Sequence, residues 1–206
     1  MPYKTSLALM NRIAVRGLLA ALLYAAAGPV FALDPSLLPS QYVLDNWQIP
    51  DGLPQSTAQA VARTPDGYLW IGTQEGLARF DGAKFTVFDS GNEPAIPNKD
   101  ICALLVDRAG RLWIGTRSGV AVIEHGHFRT VAVGPLKHAF VRAFAEGRNG
   151  RIWVGTEAGL IEIQGDGATS FDVADGLTDD RVRALAVGAD GILWVGTLSG
   201  LQRFDP

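Results

Sequence analysis

Four tryptophans, Trp70, Trp113, Trp153 and Trp194, stand 43, 40 and 41 residues apart, each inside nearly the same phrase. The first copy reads Asp66-Gly-Tyr-Leu-Trp-Ile-Gly-Thr-Gln-Glu-Gly-Leu77 and the third Asn149-Gly-Arg-Ile-Trp-Val-Gly-Thr-Glu-Ala-Gly-Leu160. Counted from each Trp, Gly recurs at −3, +2 and +6, and Thr at +3. The register runs beyond the phrase: Ala60, Ala103, Ala143 and Ala184 share −10, and Leu53, Ile96, Leu136 and Leu177 share −17. A unit of about 41 residues written four times is an array, in which each unit buries its apolar face on the next. The three glycine columns hold 12 of the chain's 24 glycines, and so explain a glycine content that disorder or a collagen repeat would otherwise have to explain.

Each unit reads as four short antiparallel strands, in the first copy about 58–63, 68–73, 77–81 and 84–88. Asp66-Gly67, Asn149-Gly150 and Asp190-Gly191 read as hairpin turns with positive φ at both central residues. Gly72, Gly115, Gly155 and Gly196 fall inside a strand, where glycine costs stability, so neighbouring backbone or a Trp ring is expected against them. The four Trp are read as the core wedge between units. Gly-rich, β-branched and aromatic segments make poor helices, which excludes a solenoid of helix pairs. The expected fold is all-β: β-propeller blades of four antiparallel strands.

Residues 1–32 carry Lys4, Arg12 and Arg16 with no acid, then an uncharged apolar run, then Gly28-Pro29 and the small-residue pattern Val30-Phe31-Ala32. That order is a secretory signal peptide cleaved after Ala32; an uncleaved anchor or a buried helix are the alternatives. A linker, 33–41, follows, and the repeats fill 42–206, with blades at about 51–89, 94–130, 134–173 and 175–206, the last incomplete. Trp47-Gln-Ile-Pro-Asp-Gly-Leu53 parallels Phe171-Asp-Val-Ala-Asp-Gly-Leu177, so 42–47 holds the place of a fourth strand of a preceding blade. Either that strand closes the last blade into a four-bladed ring, or the chain is the N-terminal part of a longer propeller, the reading favoured here. The chain carries net charge −3 and no basic cluster, which argues against nucleic acid. The single cysteine, Cys102, excludes an internal disulfide framework and is read as a buried thiol.

The phrase resembles the two-component regulator propeller repeat over residues 42–206, with Asp51-Gly-Leu-Pro54 and Phe80-Asp81-Gly82 typical of a first repeat. The resemblance implies a periplasmic sensor region of a Gram-negative histidine kinase, hybrid kinase or diguanylate cyclase. It implies an unidentified small ligand, carbohydrate among the classes, and a homodimeric full-length receptor. Membrane contact would run only through the N-terminal segment or a downstream helix absent from this sequence. It does not make this chain an enzyme, because any output domain lies outside it.

No nucleophile elbow, phosphate loop or metal-ligand cluster is written in the residues, so no catalytic residue, metal or cofactor is expected. His125 and His127 read as a solvated turn, and Asp179-Asp180 as a solvated loop. Specificity is expected where residues vary on a constant frame: the two-residue loops after each Thr, with Gln74, Arg117 and Glu157 as candidates. Arg142 and Arg183 share column −11 with Gln59 and Cys102 on the innermost strands. They are candidates for an anionic or hydroxyl-rich ligand. The competing reading is inter-blade salt bridging to acids such as Glu146 or Asp180. A streptogramin-lyase-type propeller enzyme remains the alternative function, to be raised by His138 beside Glu157 or Arg117; a protein-interaction scaffold is the third.

Overall fold

The structure is a computed structural model and describes residues 44–204. The expected export segment 1–32 and the linker 33–41 lie outside the described residues. The chain divides into two compact units, and the second, from Asn46 onward, carries the repeats.

Among the described residues that unit holds fifteen strands in four sheets. The first sheet is β1 (Ala60–Arg63), β2 (Leu69–Thr73), β3 (Gly76–Phe80) and β4 (Phe85–Phe88). The second is β5 (Ile101–Val106), β6 (Leu112–Thr116), β7 (Gly119–Glu124) and β8 (His127–Val131). The third is β9 (Val141–Glu146), β10 (Ile152–Thr156), β11 (Gly159–Gln164) and β12 (Gly167–Phe171). The last has three described strands, β13 (Val182–Val187), β14 (Leu193–Thr197) and β15 (Gly200–Phe204). Every pairing is antiparallel between sequence neighbours, and the first strands β1, β5, β9 and β13 pack on one another in succession. These are the blades of a partial β-propeller, with the first strand of each innermost.

The core lies between the blades. Trp70 and Leu77 of the first blade pack with Ile101, Leu112 and Ile114 of the second. Trp113 and Val120 meet Val141, Ile152 and Val154 of the third, and Trp153 and Leu160 meet Val182, Leu193 and Val195 of the fourth. The Gly column at +2 fits this seam. A Cβ on Gly72 would stand 2.8 Å from the Ile101 side chain, and one on Gly155 2.6 Å from Val182. The neighbour is thus an apolar side chain at the start of the next inner strand, not backbone alone or a Trp ring. Each of these glycines pairs across the sheet with the alanine of column −10, as Ala103 with Gly115, so two small residues make the groove into which the next blade settles.

Trp70, Trp113 and Trp153 are buried as expected, at 2–4% exposure, but Trp194 is 40% exposed. No further blade lies against its face among the described residues, which leaves Leu198 and Leu201 open as well. The turn expectation holds at one place of three. Asn149 and Gly150 both have positive φ (62° and 73°), whereas at 66–67 and 190–191 only the glycine does. There the aspartate instead accepts backbone N–H groups two residues on, Asp66 from Tyr68 and Asp190 from Ile192, which leaves only the glycine to take the left-handed conformation.

Short 3-10 turns not foreseen in the sequence connect the blades. Ile49–Asp51 and Val173–Asp175 have the same geometry, each ending on a left-handed glycine (Gly52 and Gly176, both φ 105°). The equivalence of the two Asp-Gly-Leu segments is therefore structural. Two polar atoms anchor Trp rings inside the seams: the Trp70 indole donates to Thr64 Oγ1 (3.0 Å) and the Trp113 indole to Asp107 Oδ2 (2.8 Å).

Candidate functional site

Each β2–β3-type loop is closed by its own threonine. Thr73, Thr116, Thr156 and Thr197 donate from Oγ1 to the carbonyl of the glycine at +6 and accept from the N–H at +5. The first three are buried to 1% or less. In the last three blades the N–H at +4 also donates to the carbonyl at −13, as Glu157 to Phe140 (3.1 Å). The loop tip and the entrance to the innermost strand are thereby tied side by side at one end of each blade.

At that entrance the inner strand bulges. Ile101 pairs with Thr116 and Ala103 with Gly115, so Cys102 is the extra residue; Arg142 and Arg183 are skipped the same way in the next two blades. A bulge turns its residue out of the strict in–out alternation of the strand, a device common beside functional sites. Column −11 is therefore presented at the blade tips, and this was the signal that spacing alone did not carry.

The bulged residues and the tips form a continuous row across the blades. Gln59 donates to Asp100 (3.2 Å), and Asp100 pairs with Arg117 at 3.6 Å. The Arg117 guanidinium lies 5.0 Å from the Phe140 ring centre, and the Arg142 guanidinium stacks on the same ring at 3.8 Å. Arg142 Nε then donates to Glu157 Oε1 (2.6 Å), and Arg183 grips both Glu157 oxygens from the next blade (2.7 and 3.2 Å). Arg117, Arg142, Glu157 and Arg183 thus converge, while Gln74 stands exposed at the tip of the first blade. Arg183 makes an ionic contact across the seam and Arg142 one within its own blade, both to Glu157. Glu146 serves Arg108 instead, and Asp180 accepts from the Val173 N–H.

The electrostatics follow from the geometry. Desolvation raises the Glu157 carboxyl, but hydrogen bonds and charge from Arg142 and Arg183 outweigh it and hold it below the ordinary glutamate range. Burial, with Asp100 beside it, pushes the Cys102 thiol up to about 12; it is half-buried rather than fully so, and is a poor nucleophile. His138 is exposed at the end of a 3-10 turn (Gly134–His138), and Glu157 is engaged by the two arginines rather than by it. His125 sits in the β7–β8 turn with φ 50°, and His127 opens β8 rather than lying in the turn. Asp179 is closed on Arg181 and Ser199.

The model of the two-component regulator propeller matches residues 52–75, 95–118, 135–158 and 176–199, one per blade. The chain belongs to this family. The extracellular domains of two hybrid two-component systems of B. thetaiotaomicron share the fold of this propeller chain. One has a TM-score of 0.72 at 18% identity over 82% of the chain, the other 0.65 at 23% over 74%. Virginiamycin B lyase of Staphylococcus aureus is a further likeness, at TM-score 0.53 and 18% identity, with 72% of this chain and 55% of that one covered. The chain spans about a quarter of the two B. thetaiotaomicron domains, 24% and 22% of their lengths. No curated protein matches it.

Proposed function

We propose that this propeller segment is the non-catalytic ligand-sensing input of an exported, membrane-bound signalling receptor of the histidine kinase or diguanylate cyclase type. Its place is the periplasmic side of a Gram-negative inner membrane. The observation that carries the reading is the contrast at the blade tips. The frame is the same in every blade, with its Thr clip, its Gly seam and, in the last three, its bulge. The side chains mounted on it differ: Gln59 and Gln74, then Cys102 and Arg117, then Arg142 and Glu157. A constant scaffold with variable tips is how a repeat protein builds one ligand surface. The extracellular domains that share the fold, and the family itself, support an exported sensor. Ligand held across blades at this row changes how the blades pack, and that strain is what a membrane helix downstream would read. The test is thermal unfolding of the soluble receptor ectodomain across a panel of glycans and small metabolites. A ligand that raises the midpoint, and whose effect is lost in Arg142→Gln, is the expected result; no shift across the panel refutes ligand sensing.

The fold likeness to a streptogramin-type lyase favours a second reading, a propeller enzyme. That reading needs a proton-transfer group at the tips. Linearisation of a streptogramin B lactone by the purified chain, abolished by His138→Ala, would establish it in place of the sensor.

A further inference from the structure

The row at the blade tips has more cations than anions. Arg117, Arg142 and Arg183 face Asp100 and Glu157, a surplus of one positive charge. The neighbouring Arg181 pairs with Asp179, and the Asp180 carboxylate accepts from the Val173 N–H and keeps its negative charge. The shortage falls on Glu157, whose single carboxylate serves two guanidiniums from adjacent blades. One donor is left over in an unusual place: Arg183 Nε is buried and has no hydrogen-bond partner. Burying an unpaired donor is costly, and doing so on a charged group more so, which marks a site whose partner comes from elsewhere. Arg142, Arg183 and Glu157 are only about a third exposed, a partly desolvated setting in which charge-assisted hydrogen bonds gain strength.

We propose that Arg142 and Arg183 form an oxyanion site for a singly charged carboxylate, with Glu157 as a built-in competitor that holds the two guanidiniums in place until the ligand arrives. A carboxylate answers the unmet guanidinium donors in sign of charge. A carboxylate also fits the planar fork of a guanidinium, and two forks angled on one acid leave donors for a second. Phe140, between the Arg117 and Arg142 guanidiniums, braces them by its ring while they contact their acids. The inference rests on the sensor reading of the same surface and names the chemistry of what is sensed.

The test is isothermal titration of the chain with D-glucuronate, acetate and D-glucose, on the parent and on Arg183→Gln and Glu157→Gln, with circular dichroism to establish that each is folded. The carboxylates bind and glucose binds at least tenfold more weakly. Arg183→Gln weakens carboxylate binding about tenfold or more, the scale of a lost charge-assisted hydrogen bond. Glu157→Gln strengthens it, because both guanidiniums are released; a merely structural role for this cluster predicts no gain. Added sodium chloride weakens the binding. Glucuronate tighter than acetate identifies an acidic saccharide as the source, and equal binding a simple organic acid; either supports the site. Absence of carboxylate binding, or folded Glu157→Gln that binds no better, overturns it. Tight glucose binding that Arg183→Gln abolishes overturns the oxyanion while leaving the sensor standing. Carboxylate binding by a full-length receptor whose output does not respond does the reverse.

Discussion

Alanine at Gly155 and at Gly196 makes the same chemical change at the same repeat position, and the structure gives the two opposite signs. Neither glycine has positive φ, so conformation is not the reason for glycine at either. At Gly155 the new Cβ would lie 2.6 Å from Val182 Cγ1 and 3.5 Å from Leu185, both belonging to the next blade. Val182 is fully buried in this seam, so the blades must separate by several tenths of an ångström. Overpacking of this kind costs about 1–3 kcal/mol. At Gly196 the nearest atom is Ala184 Cβ at 3.4 Å, ordinary contact on the same blade. There alanine removes the entropic cost of glycine in a strand and stabilises by about 0.5–1 kcal/mol. Urea unfolding followed by tryptophan fluorescence measures both. For a protein of this size, 1 kcal/mol is about 2–4 °C in midpoint. Gly155→Ala should therefore lower Tm by about 2–12 °C and Gly196→Ala raise it by about 1–4 °C. Equal destabilisation by the two would refute the seam argument, because it would mean that the glycine serves its own blade.

Trp153→Ala, which empties a fully packed seam, should cost about 3–5 kcal/mol, and Trp194→Ala well under half of that, since the ring is 2% exposed at the first site and 40% at the second; chemical denaturation of the two variants compares them. Asp107 is held below the ordinary aspartate range: desolvation raises it, but the Trp113 indole and the Arg111 N–H and guanidinium outweigh that. Its contribution is therefore complete above the unfolded value near 3.8, declines as pH falls below it, and is gone once pH has fallen through the lower folded value. Asp107→Asn should be less stable than the parent at pH 7 and the gap should narrow as pH falls below the unfolded value near 3.8, as read by urea midpoints across pH. Thr156→Val deletes the hydroxyl that donates to Gly159 (2.8 Å) and accepts from Ala158 (3.0 Å) while keeping the shape, and should destabilise by about 1–3 kcal/mol. With its thiol pushed up to about 12, Cys102 should react with an aromatic disulfide at pH 8 far more slowly than free cysteine, and at a free-cysteine rate once the chain is unfolded in urea.

The blades were legible because the constraints that make them are local. A Thr two residues past the strand's Trp-Ile pair and a Gly three further on define a hairpin without reference to any other blade, and the strands found differ from those expected by only one or two residues at their ends. What the sequence did not disclose depends on the next blade. Trp194 sits in the same column as Trp153, yet its exposure is decided by whether a neighbour covers it. The acid that pairs with Arg142 and Arg183 was sought at Glu146 and Asp180, close in sequence, and was found at Glu157. It reaches Arg183 only because the loop tip of one blade stands beside the inner strand of the next. The bulge that exposes Arg142 and Arg183 shows in the sequence only as an ordinary residue between two alternating apolar positions. Positive φ at the aspartates 66 and 190 follows from the general preference of tight hairpin turns, and they differ because each carboxylate is used as a local acceptor.

The threonine clip separates two duties that most hairpins combine. Because Oγ1 satisfies the donor and the acceptor that the tight turn strands, the side chains at 74–75, 117–118, 157–158 and 198–199 owe nothing to closing their own loop. Each blade thus offers a two-letter cassette on a fixed mount. Dipeptides can be exchanged between blades, or randomised, and the contacts at stake are those the tips make beyond their own loop, such as Glu157 to Arg142 and Arg183 and Ser199 to Asp179. A library built at these eight positions would explore recognition while leaving foldability almost untouched, and the same freedom lets descendants of one repeat array diverge in what they detect without first relearning how to fold.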